Sequence, residues 1–139
     1  MVVVETDILV SLILSTEKHH REVVEIVKRV RPLALSPYSL VELDLLVSSR
    51  RIVVRDLEQF YRELSELLEF YGIRVLTPSP SHLAIAQSLR ERYSITYFDS
   101  LHAATAIAQR DTLASYDRSY SRIEELRWIY PAKLLVESP

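Results

Sequence analysis

Apolar residues recur along this chain in two periods. Short, mostly apolar runs bounded by polar or proline-containing segments predict buried strands over 2–5 (VVVE), 33–35 (LAL), 73–76 (IRVL) and 112–115 (TLAS). Between them the spacing widens to threes and fours. ILVSLIL (8–14) predicts a helix just behind the first strand. HHREVVEIVKRV (19–30) carries apolar positions at 23, 24, 27 and 30, a helical stripe. Ser36-Pro37 opens another helix over YSLVELDLLVSS, since proline suits a first helical turn. RDLEQFYRELSELLEFYG (55–72) is amphipathic, with apolar positions at 57, 60, 61, 64, 67, 68 and 71, and Gly72 stands where a helix C-cap belongs. SHLAIAQSLRERY (81–93) and YFDSLHAATAIAQR (97–110) predict two more helices, the second lined with small apolar residues. The segment from Asp117 to Ile123 reads as a turn or short helix, and a last strand falls in RWIY (127–130) or KLLV (133–136).

Short strands alternating with helices predict an α/β protein: a three-layer α/β/α sandwich around a short parallel sheet. Residues 1–139 read as a single domain, without repeats, linkers or low-complexity tracts. Ligands of such sheets gather beyond the C-terminal strand ends. Glu5 and Asp7 follow the first strand there, and Tyr116-Asp117 follow the TLAS strand.

Composition narrows the chemistry. The net charge of −2 supplies no global positive field, which argues against a simple nucleic-acid-binding module and leaves room for a nuclease with an acidic site. The absence of Cys excludes disulfides and thiolate metal sites, and a single Gly excludes glycine-rich phosphate loops. No apolar run approaches the ~18 residues of a membrane span. The start lacks a basic region and a small-residue cleavage site, so a cytoplasmic protein is expected.

Acidic residues interrupt apolar surroundings at four places: Glu5/Asp7, Glu42 in SLVELDLL, Asp99 in YFDSLHAA and Asp117 in LASYDRSY. Each has a purely structural reading. Ser39-x-x-Glu42 and Thr96-x-x-Asp99 match the capping box. Asp117 suits an Asx turn, and Asp7 suits the N-cap of the ILVSLIL helix. Together those readings weaken, because the fold sends at least two of the acids to one sheet edge, where converging carboxylates repel. A divalent cation removes the conflict, and Mg²⁺ and Mn²⁺ prefer such oxygen ligands.

In the order and spacing of these landmarks the sequence resembles the PIN-domain family, the fold of the VapC-type toxin ribonucleases. The landmarks are VVV-Glu5-Thr6-Asp7-ILVSLI, SPYSLVE ending at Glu42, Asp99-Ser100-Leu101-His102-Ala103-Ala104, and Ser115-Tyr116-Asp117 followed by Arg118. The resemblance implies a Mg²⁺- or Mn²⁺-dependent endoribonuclease, often dimeric, acting on RNA and in many relatives held by a small antitoxin. Glu5 and Asp99 would hold the metal, with Glu42 and Asp117 completing the site or positioning the attacking water. The chain departs from the family where its first Asp aligns with Glu5, one methylene longer, and where Asp7 replaces Asn or Ser. Asp7 is then a second ligand, a partner through water, or the residue that has taken over the ligand role. A strand continuing through 7 would put both carboxylates on one side; a helix beginning there would make them diverge. Arg118 and Ser119 are candidate substrate contacts. A PIN-like module that has lost activity through Glu5 is the competing reading. An Asp-x-Asp phosphatase is disfavoured, because its nucleophile position is Glu5.

His19-His20 point about 100° apart on a helix and read as surface residues rather than a metal pair. His102, three residues after Asp99, reads as a brace for the site or a buried structural histidine. Asp44 should face away from Glu42. Arg50, Arg51 and Arg110 are possible phosphate contacts. Phe60, Tyr61, Phe70 and Tyr71 read as core or a dimer surface.

Overall fold

A computed structural model describes residues 1–136. Element order is β1 (Val2–Val4), α1 (Thr6–Ile13), α2 (His20–Arg29), β2 (Leu33–Leu35), α3 (Tyr38–Ser48), α4 (Leu57–Phe70), β3 (Arg74–Val75), α5 (Pro80–Arg92), α6 (Tyr97–Gln109), β4 (Thr112–Ala114), a 3₁₀ turn (Arg118–Arg122), β5 (Trp128–Ile129) and α7 (Ala132–Val136). The strands form one parallel sheet in the order β3-β2-β1-β4-β5. Val3 on the central strand stands opposite Ala34 and Leu113.

The strand period of two divides the core. Val4, Leu33, Leu35 and Ala114 pack under α1–α4 with Ile8, Leu9, Val23, Ile26, Leu43 and Leu64. Val3, Ala34 and Leu113 face the other way, onto Leu89, Ala103 and Ala106 of α5 and α6. This is the expected α/β/α sandwich. The small face of α6 has a packing reason: Ala103, Ala104 and Ala106 are fully buried, and the missing bulk lets the helix lie close to the sheet.

Several boundaries differ from the sequence expectation. β1 ends at Val4, and α1 starts at Thr6 rather than at residue 8. β3 is a two-residue, exposed edge strand. The last strand lies in RWIY, while KLLV belongs to α7. Gly72 does terminate α4: at φ 67° it lets Gly72 N–H reach Glu69 O and Ile73 N–H reach Leu68 O. The same paired closure recurs without glycine at Arg50 (φ 63°) and Arg110 (φ 57°). Phe60, Tyr61 and Tyr71 pack at the margin of the α1–α4 core, whereas Phe70 is exposed. Asp44 turns away from Glu42 as predicted, accepting from the Tyr61 hydroxyl at 2.7 Å. Among the described residues no helix is long and apolar enough to cross a membrane.

Candidate metal centre

The parallel sheet delivers the ends of β1 and β4 side by side. Beyond them opens a cleft of about 410 Å³ whose lining includes Glu5, Asp7, Glu42, Asp99 and Asp117. Thus the acidic positions singled out in the sequence share one cavity. Arg118 and Ser119 sit just past Asp117, outside that lining.

Glu5 is the N-cap of α1, and its Oε1 accepts from Asp7 N–H at 3.0 Å. Asp7 is therefore not the cap; it is the second helical residue. The predicted divergence also fails. Although the helix has begun, both carboxylates turn toward β4 and meet at Ser115, whose Oγ lies 2.9 Å from Glu5 Oε2 and 2.8 Å from Asp7 Oδ2. Asp7 Oδ2 also accepts from Tyr116 N–H at 2.7 Å, while Asp7 Oδ1 is buried without a partner. Tyr120, which sequence reasoning missed, bridges a second pair: its hydroxyl lies 3.2 Å from Glu5 Oε2 and 3.1 Å from Asp99 Oδ1.

Hydrogen counting makes this network informative. Ser115 has one hydroxyl hydrogen for two carboxylates, and its oxygen already accepts from Asp117 N–H at 3.1 Å. One additional proton satisfies the Ser115 contacts, with Asp7 donating to Ser115 and Ser115 to Glu5, while the single Tyr120 hydroxyl hydrogen serves either Asp99 or Glu5. The electrostatics agree. Burial first, then the neighbouring Glu5 charge, push Asp7 up to about 8. Burial is also the main cause that lifts Glu5 to about 7, with smaller contributions from Asp99 and Glu42. Asp99 is raised too, by burial and by Asp117.

Glu42 behaves differently. Its capping-box reading fails because Pro37 occupies the N-cap and Ser39 lies inside α3, with its hydroxyl buried and unpartnered. The Glu42 carboxylate instead takes hydrogen bonds from Thr6 Oγ1 and from His102 Nε2, the latter at 2.9 Å. Burial alone would raise its pKa. The two hydrogen bonds and the adjacent imidazole outweigh burial and hold it below the usual range. His102 is fully buried, and its Nδ1 lies 2.7 Å from Ser36 Oγ. Both ring nitrogens are thus engaged, which makes it the brace for Glu42.

The other structural readings divide. Thr96 does cap α6, accepting from Asp99 N–H at 3.4 Å, while the Asp99 carboxylate takes the Tyr120 hydroxyl. Asp117 makes its Asx bond, accepting from Ser119 N–H at 2.9 Å, and lines the cleft as well. Arg118 lays its guanidinium over Tyr130, 4.2 Å from the ring centroid. The surface reading of His19-His20 is corrected: both are half-buried, His19 stacked on Tyr116 and His20 Nδ1 2.8 Å from Ser11 O.

The donor set suits a hard divalent cation. Glu5, Glu42 and His102 each place one potential ligand atom within 4.8 Å of the others. The orphaned Asp7 Oδ1 and the carboxylates raised by burial and mutual repulsion are groups that a cation would satisfy.

Fold and cleft together define a PIN-type α/β protein, and the family comparison agrees. The PIN domain model matches residues 2–126, so the chain belongs to the PIN-domain family. Solved structures with the same fold include VapBC2 from Rickettsia felis bound to a DNA fragment from its promoter, at 24% identity and TM-score 0.71, covering 93% of this chain and 98% of that one. VapBC-1 from nontypeable Haemophilus influenzae matches at 20% identity and TM-score 0.71, covering 94% and 98%. A toxin-antitoxin complex from Klebsiella pneumoniae matches at 18% identity and TM-score 0.68, covering 94% and 98%. No curated protein sequence matches significantly.

Proposed function

We propose that this protein is a Mg²⁺- or Mn²⁺-dependent endoribonuclease, the toxin of a toxin–antitoxin pair. The observation that carries the reading is the convergence of six carboxylates, Glu17 among them, from separate parts of the chain on one cleft, with a buried Asp7 oxygen left unsatisfied. Glu5, Asp7, Asp99 and Asp117 would hold the cation. When bound, such an ion lowers the pKa of water and offsets charge on a phosphodiester undergoing in-line attack. The chain's own residues arrange the rest. Glu42, kept ionised by Thr6 and His102, orients the attacking water and accepts its proton. Ser115 and Tyr120 fix the spacing of Glu5, Asp7 and Asp99. Arg118 and Ser119, just beyond Asp117, would meet the RNA backbone.

The structural relatives described above include proteins solved as toxin–antitoxin complexes. By that likeness the partner proposed here is a small antitoxin. A homodimer in the cytoplasm completes the proposal.

One feature favours the weaker reading, a PIN-like module with little activity. Glu5 is only 5% exposed, and both of its oxygens already have protein partners. Cleavage of mixed-sequence single-stranded RNA in Mn²⁺, by wild type beside Asp99→Asn, decides between them. Cleavage by wild type alone supports the nuclease. Equal cleavage by both rejects the site, metal binding without cleavage points to a narrow target sequence, and neither cleavage nor metal binding supports the module.

A further inference from the structure

Aromatic rings bound one side of the acidic cleft. Tyr116, directly after Ser115, lies face to face with His19, the centroids 3.7 Å apart and the planes 6° from parallel. Both residues line the cleft with the carboxylates. Tyr116 is anchored at both ends: its N–H on Asp7 Oδ2 at 2.7 Å and its hydroxyl on Glu22 Oε1 at 2.6 Å. Tyr130 meets it edge-on at 5.3 Å, so the ring cannot swing away from that side.

His19 is the informative residue. It occupies the N-cap of α2, where Ser, Thr, Asp or Asn would satisfy a free N–H, yet it makes no side-chain cap bond. Its neighbour His20 shows what a structural histidine does here, tied to Ser11 O at 2.8 Å. The His19 ring is held by stacking alone among the described residues. It lies parallel to a fixed tyrosine, at about the separation of stacked nucleobases.

The cleft also poses a binding problem. Six carboxylates and a net charge of −2 leave little for phosphate attraction to contribute. Stacking supplies affinity without charge and tolerates any sequence, because every base has a π face.

We infer that His19, backed by Tyr116, is a stacking shelf for one nucleobase of a single-stranded RNA, setting the adjoining phosphate over the carboxylates. This rests on the nuclease reading and adds the substrate's form: an unpaired base is required, so duplex RNA is excluded from the shelf.

The test uses the full chain and a short mixed-sequence single-stranded RNA carrying 2-aminopurine, whose fluorescence falls on stacking. Wild type, His19→Ala and His19→Phe are compared for quenching in Ca²⁺ and for KM and kcat in Mn²⁺. The shelf predicts quenching by wild type, its loss in His19→Ala with KM raised ~10-fold and kcat little changed, and recovery of both in His19→Phe. Unchanged KM and quenching in His19→Ala overturn the shelf and leave the nuclease reading standing. So does a His19→Phe variant no better than the alanine. Quenching that depends on His19 without any cleavage keeps the shelf and rejects the nuclease. A wild type that neither binds nor cleaves the RNA overturns the shelf.

Discussion

Replacing Asp7 by Asn tests the electrostatic account of the site in the metal-free protein. In the folded chain Asp7 is pushed up to about 8, first by burial and then by Glu5, while the unfolded chain leaves it near an ordinary carboxylate at 3.8. Between those values the folded state holds a proton that the unfolded state has released, so stability falls as pH rises from about 4 to about 8. At ~1.4 kcal/mol per pH unit the ceiling is ~6 kcal/mol. The proton is shared through Ser115 with Glu5, and relief of one carboxyl relieves both, which brings the expected loss to roughly 2–3 kcal/mol. Asp7→Asn removes the titrating group and keeps an acceptor for Tyr116 N–H. Thermal unfolding followed by circular dichroism in EDTA should therefore find variant and wild type within about 1 °C at pH 4, where both side chains are neutral. At pH 8 the variant should melt ~5–10 °C higher. Mn²⁺ should then stabilise wild type and recover much of that difference. A gap between the two that is flat with pH, or in which wild type becomes the more stable as pH rises, would refute the reasoning.

Other perturbations follow from the same geometry. Ser115→Ala removes the hydroxyl between Glu5 and Asp7 and should weaken Mn²⁺ binding ~10–100-fold, read by calorimetric titration, with α/β circular dichroism retained. His102→Ala leaves Ser36 and Glu42 without their buried partner and opens a cavity beneath the sheet edge; a loss of roughly 2–4 kcal/mol in urea unfolding is expected. Arg110→Gly relieves a left-handed residue at the end of α6 and should raise stability by up to ~1 kcal/mol, seen as a higher melting temperature.

The fold was legible because its signals are local. Runs such as Val2-Val3-Val4 and Leu33-Ala34-Leu35 are too short for helices and too apolar for loops, and they became the centre of the sheet. Boundaries were less legible: β3 is an exposed edge strand held by its neighbour, so Ile73 and Leu76 marked the core better than the strand. In the site, the meeting of Glu5, Asp7 and Asp117 followed from the strand ends, whereas Glu42 and Asp99 arrive on the helices α3 and α6. Their partners did not. Tyr120 meets Glu5 across 115 positions, and no spacing rule reaches that far. Glu42 fitted a capping motif because Ser39 precedes it by three, but Pro37 moved the helix start and freed the acid for Thr6 and His102. His19 and His20 resembled a pair only by adjacency; each is fixed by a different element, β4's exit loop and α1.

The most direct test of the central claim, that the cleft carboxylates form a divalent-cation site, is calorimetric titration of Mn²⁺ into metal-free wild type and Asp99→Asn at pH 7. Repeating it in buffers of different ionisation heat counts the protons released. The account predicts saturable binding to wild type with proton release, because the cation displaces the proton held by Glu5 and Asp7, and greatly weakened binding to the variant. No binding to wild type at millimolar Mn²⁺, or equal binding to both proteins, would contradict it.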